Sequence, residues 1–198
     1  MAPLLVREGV RRDGFLATLG SRTWRARAHA ASVLADPQAV SGRAAYAAWL
    51  HRTAAAWARL PLAVGTGDQP WPLLSVGPEC LGGHEELAAD LADLGGHPLP
   101  VRRQAAVDDA FLVGAAHVAV VAAGDAAVLA DAASALGAGP DGPVGTRFVV
   151  RCRELARSRT ALRRELAAWA ADRDPDTAER AVLAAQALTL ELADALLA

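Results

Sequence analysis

Cysteine is scarce in this chain, which contains Cys80 and Cys152 and no others. A disulfide scaffold or a cysteine-based metal site usually shows closely spaced pairs, so both of these classes are excluded. We expect the two thiols to be inert, small apolar residues rather than metal ligands. So few cysteines also make a reducing cytoplasm the simplest compartment.

Lysine, isoleucine and asparagine are absent, so all 20 basic residues are arginine. The formal net charge is -2, which leaves no excess positive charge for a phosphate backbone, and nucleic acid is excluded as a partner. Hydrophobic residues make up 53% of the chain and charged residues 21%, a composition typical of a folded protein. A length of 198 residues favours one domain.

Long hydrophobic runs are also missing. The longest nearly apolar stretch, Ala110 to Ala123, has about fourteen residues and contains His117, whereas a membrane-spanning helix needs about twenty. Charged residues interrupt the stretch from Met1 to Gly20, where a signal peptide would need an apolar core. We therefore expect neither export nor a transmembrane segment, and no membrane partner.

The spacing of the apolar residues predicts a single all-α domain over residues 1–198, with residues 1–14 as a flexible N-terminal segment. Alternating strand patterns are absent. About six or seven helices are predicted, within the ranges 19–34, 41–60, 85–94, 105–136, 147–171 and 175–198. The Gly- and Pro-rich segment from Pro61 to Gly83 is predicted to be a lid or a packed surface loop.

The predicted helix over residues 105–136 is apolar almost all the way round. A helix of this kind is buried at the centre of a domain. Its pattern is interrupted at Gly114 and Gly124, so we expect it to bend at a glycine.

Catalytic motifs with a clear sequence footprint are absent. The chain has no Walker A motif, no glycine-rich dinucleotide motif, no His-Glu-x-x-His and no Gly-x-Ser-x-Gly. A di-iron carboxylate site would need Glu-x-x-His on two helices, and this is also missing. The histidines then remain as candidate reactive groups: His29, His51, His84, His97 and His117.

His29 lies midway along the first predicted helix, next to the small residues 30–32. Small side chains leave room for a flat ligand over one face of the helix. Arg22 and Arg25 precede His29 by seven and four residues, so they share roughly the same face and could meet an acidic edge of that ligand. The alternative is an ordinary core or half-exposed histidine.

Several short motifs follow one another in the order and spacing of a known family. They read RTWRARAH at 22–29, AAYAAWL at 44–50, ELAADLADLG at 86–95, GAAHV at 114–118 and RTALRREL at 159–166. Taken together over residues 15–198, they resemble the bacterial biliverdin-producing heme oxygenases. The resemblance implies a heme oxygenase-like bundle with a kinked central helix. It also implies oxidative cleavage of heme to biliverdin, carbon monoxide and iron, with electrons from a separate donor protein.

The resemblance assigns coordination of the heme iron to His29, through a neutral imidazole. It assigns the two heme propionates to Arg22, Arg159 and Arg163. The last two are one helical turn apart and so point the same way, and a guanidinium group matches the geometry of a carboxylate. The alternative for these arginines is a solvated helix face.

Two positions depart from the pattern of the family. Val33 stands where a glutamate would orient the coordinating histidine, and residues 118–129 keep only Gly124 where several glycines are expected. Gly124 and Asp125 are then assigned to the border of the oxygen site, although Asp125 could instead face solvent. His117 either faces the same cavity or is a core residue.

The sequence leaves two kinds of function open. One is a heme oxygenase, in which heme serves as both cofactor and substrate. The other is a non-catalytic protein of the same fold that binds heme or another planar acidic ligand, or that acts as a protein-interaction module.

Overall fold

The computed structural model describes residues 14–60, 62–63, 71–97, 103–104, 108–137 and 145–198. Within these ranges the chain is all-α, as predicted from the sequence. The helices are α1 Phe15–Leu34, α2 Arg43–Trp57, α3 His84–Asp93, α4 Asp109–Ala126, α5 Ala130–Gly137, α6 Arg147–Arg157, α7 Arg159–Ala171 and α8 Pro175–Leu197. Three short 3₁₀ helices cover Pro37–Val40, Pro78–Leu81 and Ala127–Leu129. Of the predicted N-terminal segment 1–14, all but Gly14 lies outside the described residues.

Several predicted boundaries are confirmed. Asp174 caps α8 by accepting a hydrogen bond from the backbone N–H of Thr177, and Pro175 occupies the first helical position. Gly95, predicted to stop α3, has φ +78, a left-handed conformation that a side chain disfavours. Ser41 was predicted to cap α2, but Gly42 precedes the helix and no side chain caps it.

Other elements differ from the prediction. The helix predicted over 147–171 is divided at Ser158 into α6 and α7. The central helix is regular through Gly124 and tightens into the 3₁₀ turn Ala127–Leu129 before α5 begins. Leu62–Ala63 and Arg103–Gln104 form a two-residue parallel pair, which the sequence did not reveal because two residues are too few to alternate.

The core forms where α4 packs against α8, and α8 also packs against α1 and α2. Gly114 makes the closest part of this packing possible. A Cβ atom at this position would lie 2.7 Å from the carbonyl oxygen of Ala181 and 2.9 Å from the backbone nitrogen of Ala185. The two helix backbones therefore meet at a distance that only glycine allows.

The continuous helical stretch Asp109–Gly137 has 29 residues and a mean hydropathy of 1.9, so by length and composition alone it could cross a membrane. It is longer than the fourteen-residue run on which the sequence prediction rested. In the structure 72% of its most apolar part is buried inside the bundle. A core helix accounts for this pattern equally well, so the stretch is weak evidence for a membrane segment.

We call the region formed by α2, α3 and α6 the closed end. Its aromatic side chains pack directly on one another, with Tyr46 stacked on Trp49 at 5.7 Å and Phe148 edge-on to Trp57 at 4.9 Å between ring centroids. These aromatic side chains are almost completely buried. The closed end is therefore a filled aromatic core.

Asp90 on α3 is fully buried at the closed end and caps the first turn of α6. Its Oδ1 accepts hydrogen bonds from the backbone N–H and the Nη1 of Arg147, both at 3.1 Å, and its Oδ2 accepts from the backbone N–H of Phe148 at 2.9 Å. Burial raises the pKa of Asp90, and these hydrogen bonds counteract the rise. Both carboxylate oxygens have donors, so the role of Asp90 is structural.

Candidate functional site

A groove opens between α1, α4 and α7, and we call this region the open end. The groove measures about 160 Å³. Its walls are mostly apolar, with three arginines and one histidine among them. The described lining residues are Leu16, Leu19, Gly20, Thr23, Trp24, Arg27, His117, Val120, Val121, Arg159, Leu162 and Arg163.

A smaller cavity of about 20 Å³, about the space of one water molecule, adjoins the groove on the side of α8, and we call it the inner cavity. The two spaces are neighbours because both are lined by Thr23, Arg27, His117 and Val121. The rest of the described lining of the inner cavity is Ala30, Val118, Ala122, Asp125, Thr189 and Leu192. A side chain at this boundary can therefore contact a ligand in either space.

His117 on α4 lies at the boundary between the groove and the inner cavity. Burial, together with the smaller effect of the nearby charges of Arg27, Arg159 and Arg163, lowers its pKa to about 4. The imidazole is therefore neutral at pH 7. A neutral imidazole can accept a hydrogen bond or coordinate a metal at the nitrogen that carries no proton.

Arg27 on α1 forms an ion pair with Asp125 on α4, with 3.3 Å between Nη2 and Oδ1. The Asp125 side chain is only 15% exposed, so it points inward and not to solvent. The Nε of Arg27 and the Oδ2 of Asp125 are buried and have no hydrogen-bond partner within the described parts of the chain. Unsatisfied buried polar atoms are costly, and such atoms beside a cavity indicate a binding site.

Arg159 and Arg163 lie on one face of α7 and border the groove. Arg159 is half-buried and Arg163 is exposed. A Cβ atom at Gly124 would lie 3.9 Å from Nη1 of Arg159, so this guanidinium passes over the C-terminal part of α4. Two guanidinium groups one turn apart can hold one carboxylate or two neighbouring ones.

The structure separates the residues that the sequence had grouped into one site. Arg159 and Arg163 line the groove, but His29 and Arg22 are exposed and are not among the residues that line it or the inner cavity. The predicted juxtaposition of His29 with the arginines of α7 is thus corrected. His29 follows Arg27 by two residues, which places it about 200° further round the helix.

The reason for this error is the choice of helix face. The buried residues of α1 recur three or four positions apart and include Thr23, Ala26 and Ala30. Arg22, Arg25 and His29 follow the same spacing one position earlier, about 100° round the helix, and they are exposed. The sequence indicated the right helix, whereas small residues beside a histidine do not show which face is covered.

Arg27 was not singled out from the sequence. The signal that could have identified it is its position on the side of α1 that also carries Leu16, Leu19 and Trp24, where an arginine interrupts a largely apolar face. The assignment of Asp125 to a site on α4 agrees with its inward orientation. The alternative in which His117 faces the same cavity also agrees with the structure, because both residues line the inner cavity.

The two cysteines lie apart from the groove, and both are buried. Burial raises the pKa of the Cys80 thiol to about 12, and it also raises the pKa of the Cys152 thiol. Both are therefore protonated at neutral pH, as expected of inert thiols. Among the described residues, no three His, Cys, Asp or Glu side chains group together in a way that could hold a metal ion.

Comparisons of this chain with protein-family models, curated proteins and solved structures found no match. A function is therefore inferred from the groove, the inner cavity and the charged side chains between them.

Proposed function

We propose that the chain binds an amphipathic organic acid in the groove at the open end. The carboxylate would lie against Arg159 and Arg163, and the apolar part of the ligand would lie along Leu16, Leu19 and Leu162. Ligand pockets typically combine apolar walls with a few polar groups that fix orientation, and this groove has that composition.

One observation carries the proposal: Arg27, Arg159 and Arg163 line one groove, and the imidazole of His117 lines it with them. Among the described residues, Arg27 is the one of these three arginines with an ion-pair partner, Asp125, so the positive charge at the boundary exceeds the negative charge there. A carboxylate entering the groove would offset this excess and would accept charge-assisted hydrogen bonds from the guanidinium groups.

Calorimetric titration with decanoate and decanol tests the proposal, because the two probes share a chain and differ in charge. We expect decanoate to bind at least about tenfold more tightly than decanol. The double variant Arg159→Ala/Arg163→Ala should lose this preference, and Arg157→Ala/Arg164→Ala should keep it, since the latter pair removes the same charge outside the groove. Equal binding of the two probes, or loss of the preference in both variants, would contradict the proposal.

Heme belongs to the same ligand class, since it is a flat apolar macrocycle with two carboxylates. We propose heme oxygenase activity as the second candidate, supported by the presence of Arg159 and Arg163 on the same groove as a histidine. Exposed His29 does not fit as the iron ligand of a heme in this groove, and Val120 and Val121 stand on the wall where the family has bare glycine. His117 is the imidazole that could coordinate the iron there.

Hemin titration distinguishes the two histidines. We expect the visible spectrum of the hemin complex to change in His117→Ala and to stay the same in His29→Ala. Formation of biliverdin after a reductant is added would support the oxygenase activity, and binding without biliverdin would reject it. If hemin keeps the spectrum it has without protein, heme is excluded as a ligand, whereas the decanoate test still decides the broader proposal.

A further inference from the structure

We propose that the inner cavity binds a hydroxyl group of the ligand, so that the chain selects hydroxy acids over plain acids of the same length. This inference rests on the proposed function, because it places the carboxylate of the same ligand in the groove. It concerns two atoms that the carboxylate itself does not satisfy, the Nε of Arg27 and the Oδ2 of Asp125.

The two atoms require opposite hydrogen-bonding partners. The Nε of Arg27 is a donor, and the Oδ2 of the Asp125 carboxylate is an acceptor. A hydroxyl group can accept from the first and donate to the second. A ligand carbonyl could only accept, and an ammonium group could only donate. A hydroxyl is therefore the smallest ligand group that satisfies both sides of this ion pair.

The cavity around the ion pair limits what else can enter. Apart from the ion pair and His117, it is lined by apolar side chains and by the hydroxyls of Thr23 and Thr189, each of which donates to a carbonyl of its own helix. The cavity measures about 20 Å³, about the space of one water molecule, so it accommodates a hydroxyl, whereas a second charge would be desolvated without a countercharge. This favours a hydroxyl over a second carboxylate.

The hydroxyl must lie close to the carboxylate along the ligand. Arg27 and His117 line both the groove and the inner cavity, and Arg159 and Arg163 line the groove beside them, so the acid site on α7 and the inner cavity adjoin the same two side chains. A hydroxyl on the second or third carbon of the acid can reach the ion pair from there. The apolar remainder of the ligand then lies along the groove, whose lining on α1 runs from Leu16 to Arg27, a length of about 16 Å.

Calorimetry with 3-hydroxydecanoate, each enantiomer separately, and with decanoate tests this inference. We expect one enantiomer to bind about tenfold more tightly than decanoate, because decanoate leaves the ion pair unsatisfied. In Asp125→Ala the ratio of the two affinities should fall to near one. Asp131→Ala, which removes an exposed acid of α5, should keep the ratio.

The outcomes separate this inference from the proposed function. If decanoate and both enantiomers bind equally, ordered water satisfies the ion pair, and the inference is overturned while the proposed function stands. If Asp125→Ala keeps the preference, the hydroxyl binds elsewhere and the inference is again overturned. If none of these acids binds, the proposed function fails and the inference fails with it.

Discussion

Asp90 at the closed end and Asp125 at the open end both lie on helices and both contact an arginine. Asp90 is fully buried and receives three hydrogen bonds, two of them from the backbone of α6. Asp125 receives one hydrogen bond, from Arg27; its second oxygen is buried without a partner in the described structure, and the residue lines the inner cavity. A satisfied carboxylate holds helices together, whereas an unsatisfied one beside a cavity is available to a ligand.

The surroundings of the two carboxylates differ in the same way. At the closed end Trp49, Trp57 and Phe148 pack on one another and are almost completely buried. The open end keeps a groove of about 160 Å³ and a cavity of about 20 Å³ between α1, α4, α7 and α8. The comparison teaches that burial alone does not identify a functional acid, because the completeness of its hydrogen bonds and the space beside it also matter.

The largest expected effect is at the closed end. Asp90→Ala should lower the free energy of unfolding by about 3 kcal/mol, because two buried N–H groups of α6 lose their acceptor. Asp125→Ala should cost less than about 1 kcal/mol, since its partner Arg27 is partly exposed. Urea unfolding measures both. Equal losses would break the contrast between a structural and a functional carboxylate.

The second prediction concerns pH. The pKa of His117 is 6.5 in the unfolded chain and about 4 in the folded one. Between these two pH values, His117 is therefore more fully protonated in the unfolded state than in the folded state. Stability is therefore highest above pH 6.5 and falls as the pH drops toward 4, by as much as about 3 kcal/mol from this group.

Urea unfolding across this pH range, compared between variants, isolates the contribution of His117. His117→Gln should reduce the pH dependence, and the matched variant His29→Gln should leave it unchanged. If the pH dependence is instead lost in His29→Gln, His29 on α1 and not His117 on α4 is the buried imidazole. That result would contradict the assignment of the open end.

The third prediction compares two glycines of α4. Gly114→Ala should destabilise the chain by about 2 kcal/mol, because the added Cβ would clash with the backbone of α8. In Gly124→Ala the one described neighbour within 4 Å of the added Cβ atom is the guanidinium of Arg159, at 3.9 Å. This substitution should therefore stabilise the helix by up to about 1 kcal/mol. Thermal unfolding measures both. A large loss at Gly124 would show that this glycine is required for packing after all.

The sequence was sufficient for the all-α class and for most helix ends, because apolar spacing and residues such as Pro175 and Gly95 act locally. Of the residues that it assigned to a site, Arg159 and Arg163 line the groove and Asp125 lines the inner cavity. It failed at His29 and overlooked Arg27, since the covered face of α1 depends on where α4 and α8 pack. The role of Asp90 was likewise hidden, because its partners are more than fifty positions away in sequence.

The central claim is that the ligand site lies on the His117 side of α1 and not on the His29 side. The most direct test is an NMR titration that follows the ring nitrogens of the five histidines as decanoate is added. We predict that the His117 signals shift and that the pKa of His117 rises from about 4, because a bound carboxylate offsets the arginine charges. The signals of His29 should not shift. A shift at His29 with His117 unchanged would contradict the account.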